Sequence, residues 1–149
     1  MINFALVSAF TSWFIAQFLK VVFFLVSHKK LDFKRFFQSG GMPSSHSALT
    51  ASLTLSVGIM DGFNSNAFAI ALALTVIVMY DAAGVRRAAG QQARVINKLT
   101  ETWENNLDFI QDKQLKEFLG HTPVEVIAGA ILGCVISLIY YYTIYMYII

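Results

Sequence analysis

Residues 4–26 read FALVSAFTSWFIAQFLKVVFFLV, an apolar run whose one charge, Lys20, lies near its end. About 20 predominantly apolar residues are enough for a helix to cross the hydrocarbon core of a bilayer. Three further apolar runs follow, at residues 43–60, 63–80 and 124–149. Because a segment in lipid must satisfy its backbone polar groups internally, each of the four runs is predicted to be a helix.

The composition of the whole chain supports this interpretation. Of its 149 residues, 56% are hydrophobic and 13% are charged, whereas soluble domains carry about 25% charged residues. The net charge of +2 is too small to indicate nucleic-acid binding, and a single cysteine, Cys134, cannot form an internal disulfide. The predicted fold is all-α: one domain over residues 1–149, forming a polytopic membrane helix bundle with four transmembrane helices.

The second run is unusual because it is rich in serine and threonine. These residues recur from Ser44 to Ser56, and hydroxyl side chains in a membrane helix form hydrogen bonds to other helices. We therefore expect this helix to face protein or a polar cavity rather than lipid.

The distribution of basic residues predicts the orientation of the bundle. All 11 lysines and arginines lie in two stretches, residues 20–35 and residues 86–116. These stretches are within or beside the loops that follow the first and third runs. Four crossings bring these loops to one face, and the positive-inside rule places that face in the cytoplasm with both termini outside. Residues 28–41 mix basic and apolar side chains and are predicted to be interfacial. Residues 86–99 and 102–119 are predicted to form interfacial or cytoplasmic helices between spans three and four.

The chemically capable residues gather at the helix ends on this cytoplasmic face. The second helix begins within GGMPSSHS (40–47), the third ends at DAAGVRR (81–87), and the fourth begins within GHTPVE (120–125). Each of the two prolines is expected in the first turn of its helix, where the missing N–H costs nothing. Two helix N-termini supply free N–H groups and positive dipole ends, which together bind anions.

A tetrahedral phosphate suits such a site. Additional donors and charges would come from Ser44, Ser45, Lys20, Arg86 and Arg87, and arginine presents a bidentate fork to phosphate oxygens. His46 and His121 would then lie beside the bound phosphate as an acid and a base, or as a nucleophile and an acid.

Purely structural roles are open for the same residues. Ser44 or Ser45 can serve as an ordinary helix N-cap, and Thr122 with Glu125 fits a capping box. The histidines can be interfacial residues without a role, as we expect for His28. Asp81 is expected to form an ion pair with a neighbouring arginine, with metal ligation or proton relay as the alternative.

At these residues the sequence resembles the type 2 phosphatidic acid phosphatase superfamily, and specifically its divergent branch related to acid phosphatases and vanadium-dependent haloperoxidases. Pro43-Ser44-Ser45-His46 follows the superfamily motif Pro-Ser-Gly-His, with Ser45 replacing glycine. His121, with Glu125 four residues later and a helix of small residues after it, follows the motif that contains the nucleophile. The stretches GGMPSSHS and YDAAGVRR (80–87) look like the divergent branch itself.

The resemblance implies a phosphatase that needs no metal or other cofactor and acts through a phosphohistidine. His121 would be the nucleophile, oriented by Glu125, and His46 would protonate the leaving oxygen. Ser44 and the backbone N–H of Ser45 would hold phosphate oxygens. The implied substrate is a lipid or isoprenoid phosphate or diphosphate taken from the cytoplasmic leaflet of the cell membrane.

The sequence also departs from the superfamily pattern. It contains no Arg-Pro dipeptide, and Leu115 stands where an arginine is expected. Since phosphoryl transfer depends on cations at the equatorial oxygens, the alternative is a non-catalytic membrane protein that binds or transports a phosphorylated lipid or anion. Vanadate-dependent peroxidase chemistry is disfavoured, because a cytosolic site suits neither halide nor peroxide supply. Gly129 and Gly133 permit close packing within the bundle or between subunits, so a homo-oligomer is left open.

Overall fold

The computed structural model describes residues 3–29, 36, 40–104, 115 and 120–145. The described helices are α1 (Phe4–His28), α2 (Ser45–Asp61), α3 (Asn66–Ala83), α4 (Val85–Glu104) and α5 (Pro123–Tyr140). A π-helical turn, Tyr141–Tyr145, extends α5. The described part of the chain contains no strand, so the all-helical prediction is confirmed for it.

Short polar side chains fix where four of these helices begin. Asn3, Ser44, Ser65 and Thr122 are the N-caps of α1, α2, α3 and α5, and each accepts a hydrogen bond from a backbone N–H of the first turn. Such caps satisfy donors that have no intrahelical partner.

The two prolines do not occupy equivalent positions. Pro123 is at the first position of α5, as expected. Pro43 instead precedes the cap Ser44, so α2 begins two residues later than the sequence predicts. The reason is that Ser44 caps the helix while Gly40 and Gly41, both with positive φ, turn the chain just before it.

Among the described residues, three helical segments are long and apolar enough to cross a membrane: Phe4–His28, Asn66–Leu99 and Pro123–Thr143. The second of these segments combines α3 with most of α4. α2, with 17 residues, is shorter and more polar, so the expected count of four spans is not confirmed. The predicted acidic helix at 102–119 and the interfacial segment at 28–41 lie mostly outside the described residues.

Burial in this bundle is inverted relative to a soluble protein. The largest completely buried side chains are serines, including Ser8, Ser52 and Ser137, while Phe10 and Phe14 of α1 are exposed. Large apolar side chains on the outside and small polar ones inside are typical of helices surrounded by lipid.

The hydroxyl groups of α2 explain its position at the centre of the bundle. α2 packs against α1, α3 and α5, and one of its hydroxyl groups pairs with a hydroxyl of each neighbour. These pairs are Ser52 with Ser8 at 2.8 Å, Thr54 with Thr75 at 2.7 Å and Ser56 with Ser137 at 2.8 Å. The prediction that this helix faces protein is therefore confirmed.

Glycine allows the closest approach in the bundle. A Cβ atom at Gly129 or Gly133 of α5 would overlap the backbone of α2, at Ser44 and Ala48 respectively. Both glycines thus serve packing within the bundle.

Candidate active site at one end of the bundle

The loops and helix ends singled out from the sequence meet at one end of the bundle. Ser44 N donates to the carbonyl oxygen of Glu125 at 3.0 Å, which ties the start of α2 to the start of α5. His121 N donates to the carbonyl oxygen of Ala82 at 3.1 Å, which ties the same region to the end of α3. The N-termini of α2 and α5 therefore lie side by side, as the predicted anion site requires.

Lys20 connects α1 to this end of the bundle. Its ammonium Nζ donates to Ser45 Oγ at 3.2 Å, and the side chain is buried. The charge of Glu125 also acts on this ammonium. A lysine has three donors, so the bond to Ser45 leaves capacity for an anion.

Ser44 is the N-cap of α2, as one of the structural interpretations predicts. Its Oγ accepts from Ser47 N at 3.4 Å and from Ser47 Oγ at 3.0 Å. A hydroxyl donates one proton as well as accepting, so the Ser44 hydroxyl still has a hydrogen to offer to an anion.

Glu125 performs the capping role and contacts the histidine with the same oxygen atom. Glu125 N donates to Thr122 Oγ1 at 3.3 Å, and Thr122 N donates to Glu125 Oε2 at 3.0 Å, which completes the capping box. Oε2 also lies 3.1 Å from His121 Nδ1. The structural and functional interpretations of Glu125 are therefore compatible.

His121 is held in one tautomer by this contact. A carboxylate only accepts hydrogen bonds, so Nδ1 carries the proton and the neutral ring keeps its lone pair on Nε2. The side chain is 5% exposed. In the part of the chain that the structure describes, Nε2 is buried without a hydrogen-bond partner.

The pKa of His121, which lies before the first residue of α5, favours this neutral form. Burial lowers the pKa of His121 below the ordinary value of 6.5, and the charges of Lys20 and Arg86 act in the same direction. The hydrogen bond and the charge of Glu125 act against them. An imidazole that is neutral near pH 7 can act as a nucleophile.

His46 and His121 differ in exposure, since His121 is buried and His46 is not. The His46 side chain is exposed, in the first turn of α2. The charges of Arg86, Lys20 and His121 act on His46, so both histidines belong to one electrostatic environment. An exposed imidazole can exchange protons with water, whereas a buried one is shielded from it.

The two adjacent arginines have different environments. Arg86 Nε donates to Asp81 Oδ2 in an ion pair, and the charge of Arg86 acts on both histidines. Arg87 instead contributes its backbone, since a Cβ atom at Gly120 would overlap it. Its side chain is exposed. Arg86 is thus the arginine that contributes charge to the two histidines. Gly120, which has no Cβ, packs directly against the backbone at the start of α4.

Sequence reasoning missed Gln17, which lies one helical turn before Lys20 on the buried face of α1. Its carboxamide oxygen is the second buried side-chain atom without a partner among the described residues. A buried acceptor without a donor is costly, which makes Gln17 a candidate contact for a ligand or for the Lys20 ammonium. The signal in the sequence is the one amide side chain in a predominantly apolar run.

These features define an integral membrane helix bundle with two histidines and several cations at one end. The sequence pattern of the Divergent PAP2 family matches residues 1–136, and the chain belongs to this family. It is also 39% identical, over 94% of its length and 95% of the relative's, to a protein of Bacillus subtilis (strain 168) described as uncharacterized membrane protein YuiD. No solved structure matches the chain. The resemblance seen in the motifs is therefore confirmed at the level of the family.

Proposed function

We propose that the protein is a membrane-embedded phosphatase that hydrolyses a lipid or isoprenoid phosphate through a phosphohistidine. The observation that carries this proposal is His121, buried beside two helix N-termini with Nδ1 on Glu125 and with no partner for Nε2 among the described residues. Membership of the Divergent PAP2 family supports it. Residue roles follow from the resemblance and from these contacts.

The reaction would proceed in two displacements. The Nε2 lone pair of His121 attacks phosphorus while the bond to the ester oxygen breaks, and His46 gives that oxygen its proton. Water then attacks the phosphohistidine, His46 takes a proton from the water, and the P–N bond breaks to release inorganic phosphate. Splitting hydrolysis in this way is covalent catalysis, and a positioned acid contributes about 10²–10⁴ in rate.

The phosphate oxygens would be held by groups from three helices, α1, α2 and α4. Ser44 and the backbone N–H of Ser45 are donors at the start of α2, and Lys20 adds a buried charge. Arg86 would reach the ligand by sharing or exchanging its contact with Asp81. We assign Arg87 a supporting role through its exposed positive charge.

We propose that the chain crosses the membrane four times, with α2 as a span in addition to the three long apolar segments. Both termini would lie outside, and the site would lie at the cytoplasmic face. The support for this topology is the basic composition of the loops at that end of the bundle and the positive-inside rule. A lipid headgroup in the inner leaflet would then lie at the depth of the exposed His46.

The test is phosphate release by the purified protein from a panel of prenyl phosphates, prenyl diphosphates and phosphatidic acids. His121→Ala should abolish release. His28→Ala is the matched control, because His28 stacks on Phe24 at the end of α1, with ring centroids 4.3 Å apart, and should keep the wild-type rate. Release by His121→Ala at the wild-type rate would overturn the mechanism.

Non-catalytic binding of a phosphorylated lipid or anion is the second candidate. It is favoured by the absence of the Arg-Pro dipeptide and by the engagement of Arg86 with Asp81. It predicts saturable binding of vanadate without turnover of any substrate in the panel. Trapping a phosphohistidine on the protein would exclude it.

A further inference from the structure

Gln17 carries a buried hydrogen-bond acceptor that no contact of the described chain uses. The residue is 6% exposed. In the part of the chain that the structure describes, its Oε1 and His121 Nε2 are the two buried side-chain polar atoms without a hydrogen-bond partner. Leaving a buried acceptor without a donor is costly, so the position favours a partner that brings a hydrogen to this oxygen.

Gln17 lies at the depth of the predicted anion site. α1 and α2 run antiparallel, since Ser8 pairs with Ser52 and Lys20 pairs with Ser45. A helix rises about 1.5 Å per residue, so Gln17 lies about 13.5 Å along α1 from Ser8. Ser45 lies about 10.5 Å along α2 from Ser52, in the same direction. Gln17 is therefore level with the first turn of α2, where backbone N–H groups have no intrahelical partner.

Gln17 also lies on the side of α1 that carries the ammonium of the site. Gln17 and Lys20 are three residues apart, which places them on one face of the helix, and both are buried. The Lys20 ammonium donates to Ser45 Oγ and does not donate to Gln17 Oε1, which is without a partner. The anion site thus has an unused acceptor in addition to its donors.

An acceptor among donors discriminates between oxyanions of the same shape. Phosphate and sulfate are both tetrahedral, and the N–H groups, hydroxyls and ammonium of the site can donate to either. At about pH 7 inorganic phosphate keeps a P–OH hydrogen that it can donate to a carbonyl oxygen, whereas sulfate has no hydrogen. A fully deprotonated oxyanion would leave the carbonyl oxygen unpaired and repelled by a negative charge.

We propose that Gln17 selects a protonated phosphate, with Oε1 accepting the P–OH hydrogen while Lys20 and the start of α2 hold the other oxygens. The ligand is then inorganic phosphate or a phosphate monoester in its monoanionic form, and not sulfate or a phosphodiester. The inference rests on the anion site of the proposed function, but it does not require hydrolysis of the bound phosphate.

The test measures binding of radiolabelled inorganic phosphate to the full-length protein in a neutral detergent at neutral pH. The competitors are sulfate and a prenyl phosphonate, which has a P–OH group and a P–C bond that the enzyme cannot hydrolyse. Gln17→Met keeps the length of the side chain and removes the acceptor. Ser12→Ala is the matched control, because Ser12 is buried on the same helix and its hydroxyl donates to the Ser8 carbonyl oxygen at 2.9 Å.

In the wild type we expect phosphate to bind at least about tenfold more tightly than sulfate. Gln17→Met should lower the affinity for phosphate roughly tenfold and leave that for sulfate unchanged. Ser12→Ala should keep the wild-type ratio. Displacement by the phosphonate at lower concentration than by unlabelled phosphate would identify a lipid phosphate as the ligand, and the reverse order would identify free phosphate. Either order supports the proposal when Gln17→Met weakens binding of both phosphorus compounds.

Equal affinity of the wild type for phosphate and sulfate would overturn the proposal. Loss of affinity for both anions in Gln17→Met would also overturn it, because the carboxamide would then donate its N–H to the anion or serve only to position Lys20. Phosphate binding that does not respond to Gln17→Met would overturn this inference and leave the proposed function intact. Failure of both anions to bind would remove the anion site, and with it both the inference and the proposed function.

Discussion

Replacing Glu125 by glutamine tests whether its carboxylate serves the histidine or only the helix. The substitution removes the negative charge and keeps the side-chain length. Glutamine is accepted at the same position of a capping box, so the amide oxygen can still accept from Thr122 N. His121 Nδ1 keeps an acceptor at the same place, now a neutral one.

The two hydrogen bonds of Glu125 Oε2 set the expected magnitude. A hydrogen bond to a charged group contributes about 1.5–3 kcal/mol, and a neutral one about 0.5–1.5 kcal/mol. The difference matters most when Nε2 attacks phosphorus, because the His121 ring then becomes positively charged. The expected loss of transition-state stabilisation is this difference, roughly 1–1.5 kcal/mol, which corresponds to a rate lower by about 5- to 13-fold.

The assay pairs Glu125→Gln with Thr122→Ala, which removes the hydroxyl that caps α5 and leaves the contact of Glu125 with His121. Loss of an N-cap costs about 1 kcal/mol of stability. Thr122→Ala should therefore lower the thermal unfolding midpoint while phosphate release stays close to wild type. Glu125→Gln should show the reverse pattern.

Two results would refute this reasoning. Phosphate release by Glu125→Gln at the wild-type rate would show that the charge of Glu125 does not act on the reaction. Equal losses of rate and stability in both variants would show that Glu125 acts only through the cap.

Three further outcomes are expected. Since the nucleophile must be neutral and burial lowers the pKa of His121 below 6.5, phosphate release should persist as the pH falls through 6.5 and decline only at lower pH; a pH–rate profile with an acid limb above 6.5 would contradict this. Gly129→Ala should destabilise the protein by about 1–3 kcal/mol, the usual cost of overpacking, because its Cβ would overlap the Ser44 carbonyl; thermal unfolding in detergent measures the loss, and an unchanged midpoint would show that α2 and α5 are not in contact there. Lys20→Met keeps the buried stem and removes the charge, so vanadate affinity should fall at least tenfold, while Lys29→Met at the exposed end of α1 should leave affinity unchanged; equal affinities in the two variants would remove Lys20 from the site.

Hydrophobic runs predicted the apolar helices well, because a helix that crosses a bilayer must be apolar over most of its length. The first run, expected at residues 4–26, became α1 at Phe4–His28. The start of α2 was wrong by two residues, because a proline in the sequence does not distinguish the first helical turn from the turn before the cap. The capping Ser44 decided that boundary.

The meeting of the helix ends was a prediction of topology, and the backbone bonds at Ser44 and His121 agree with it. The sequence could not predict which of Arg86 and Arg87 acts on the histidines. Neighbouring residues of a helix point about 100° apart, so only the packing of Gly120 against the start of α4 determines which of the two faces the histidines. Gln17 was missed for a related reason, since burial depends on which side of α1 contacts its neighbours.

The three hydroxyl pairs of α2 have a consequence for how the protein is made. Serines and threonines that find partners on three different helices have none while α2 is alone, so its entry into the bilayer as a separate segment would be poorly favoured. We expect the insertion machinery to retain α2 until the neighbouring helices have been made. Packing of these helices around α2 would then be the last step of assembly. Truncation after α3 removes the α5 partner of Ser56, and we expect quality-control proteases to degrade the shortened chain even though its first helix is a competent anchor.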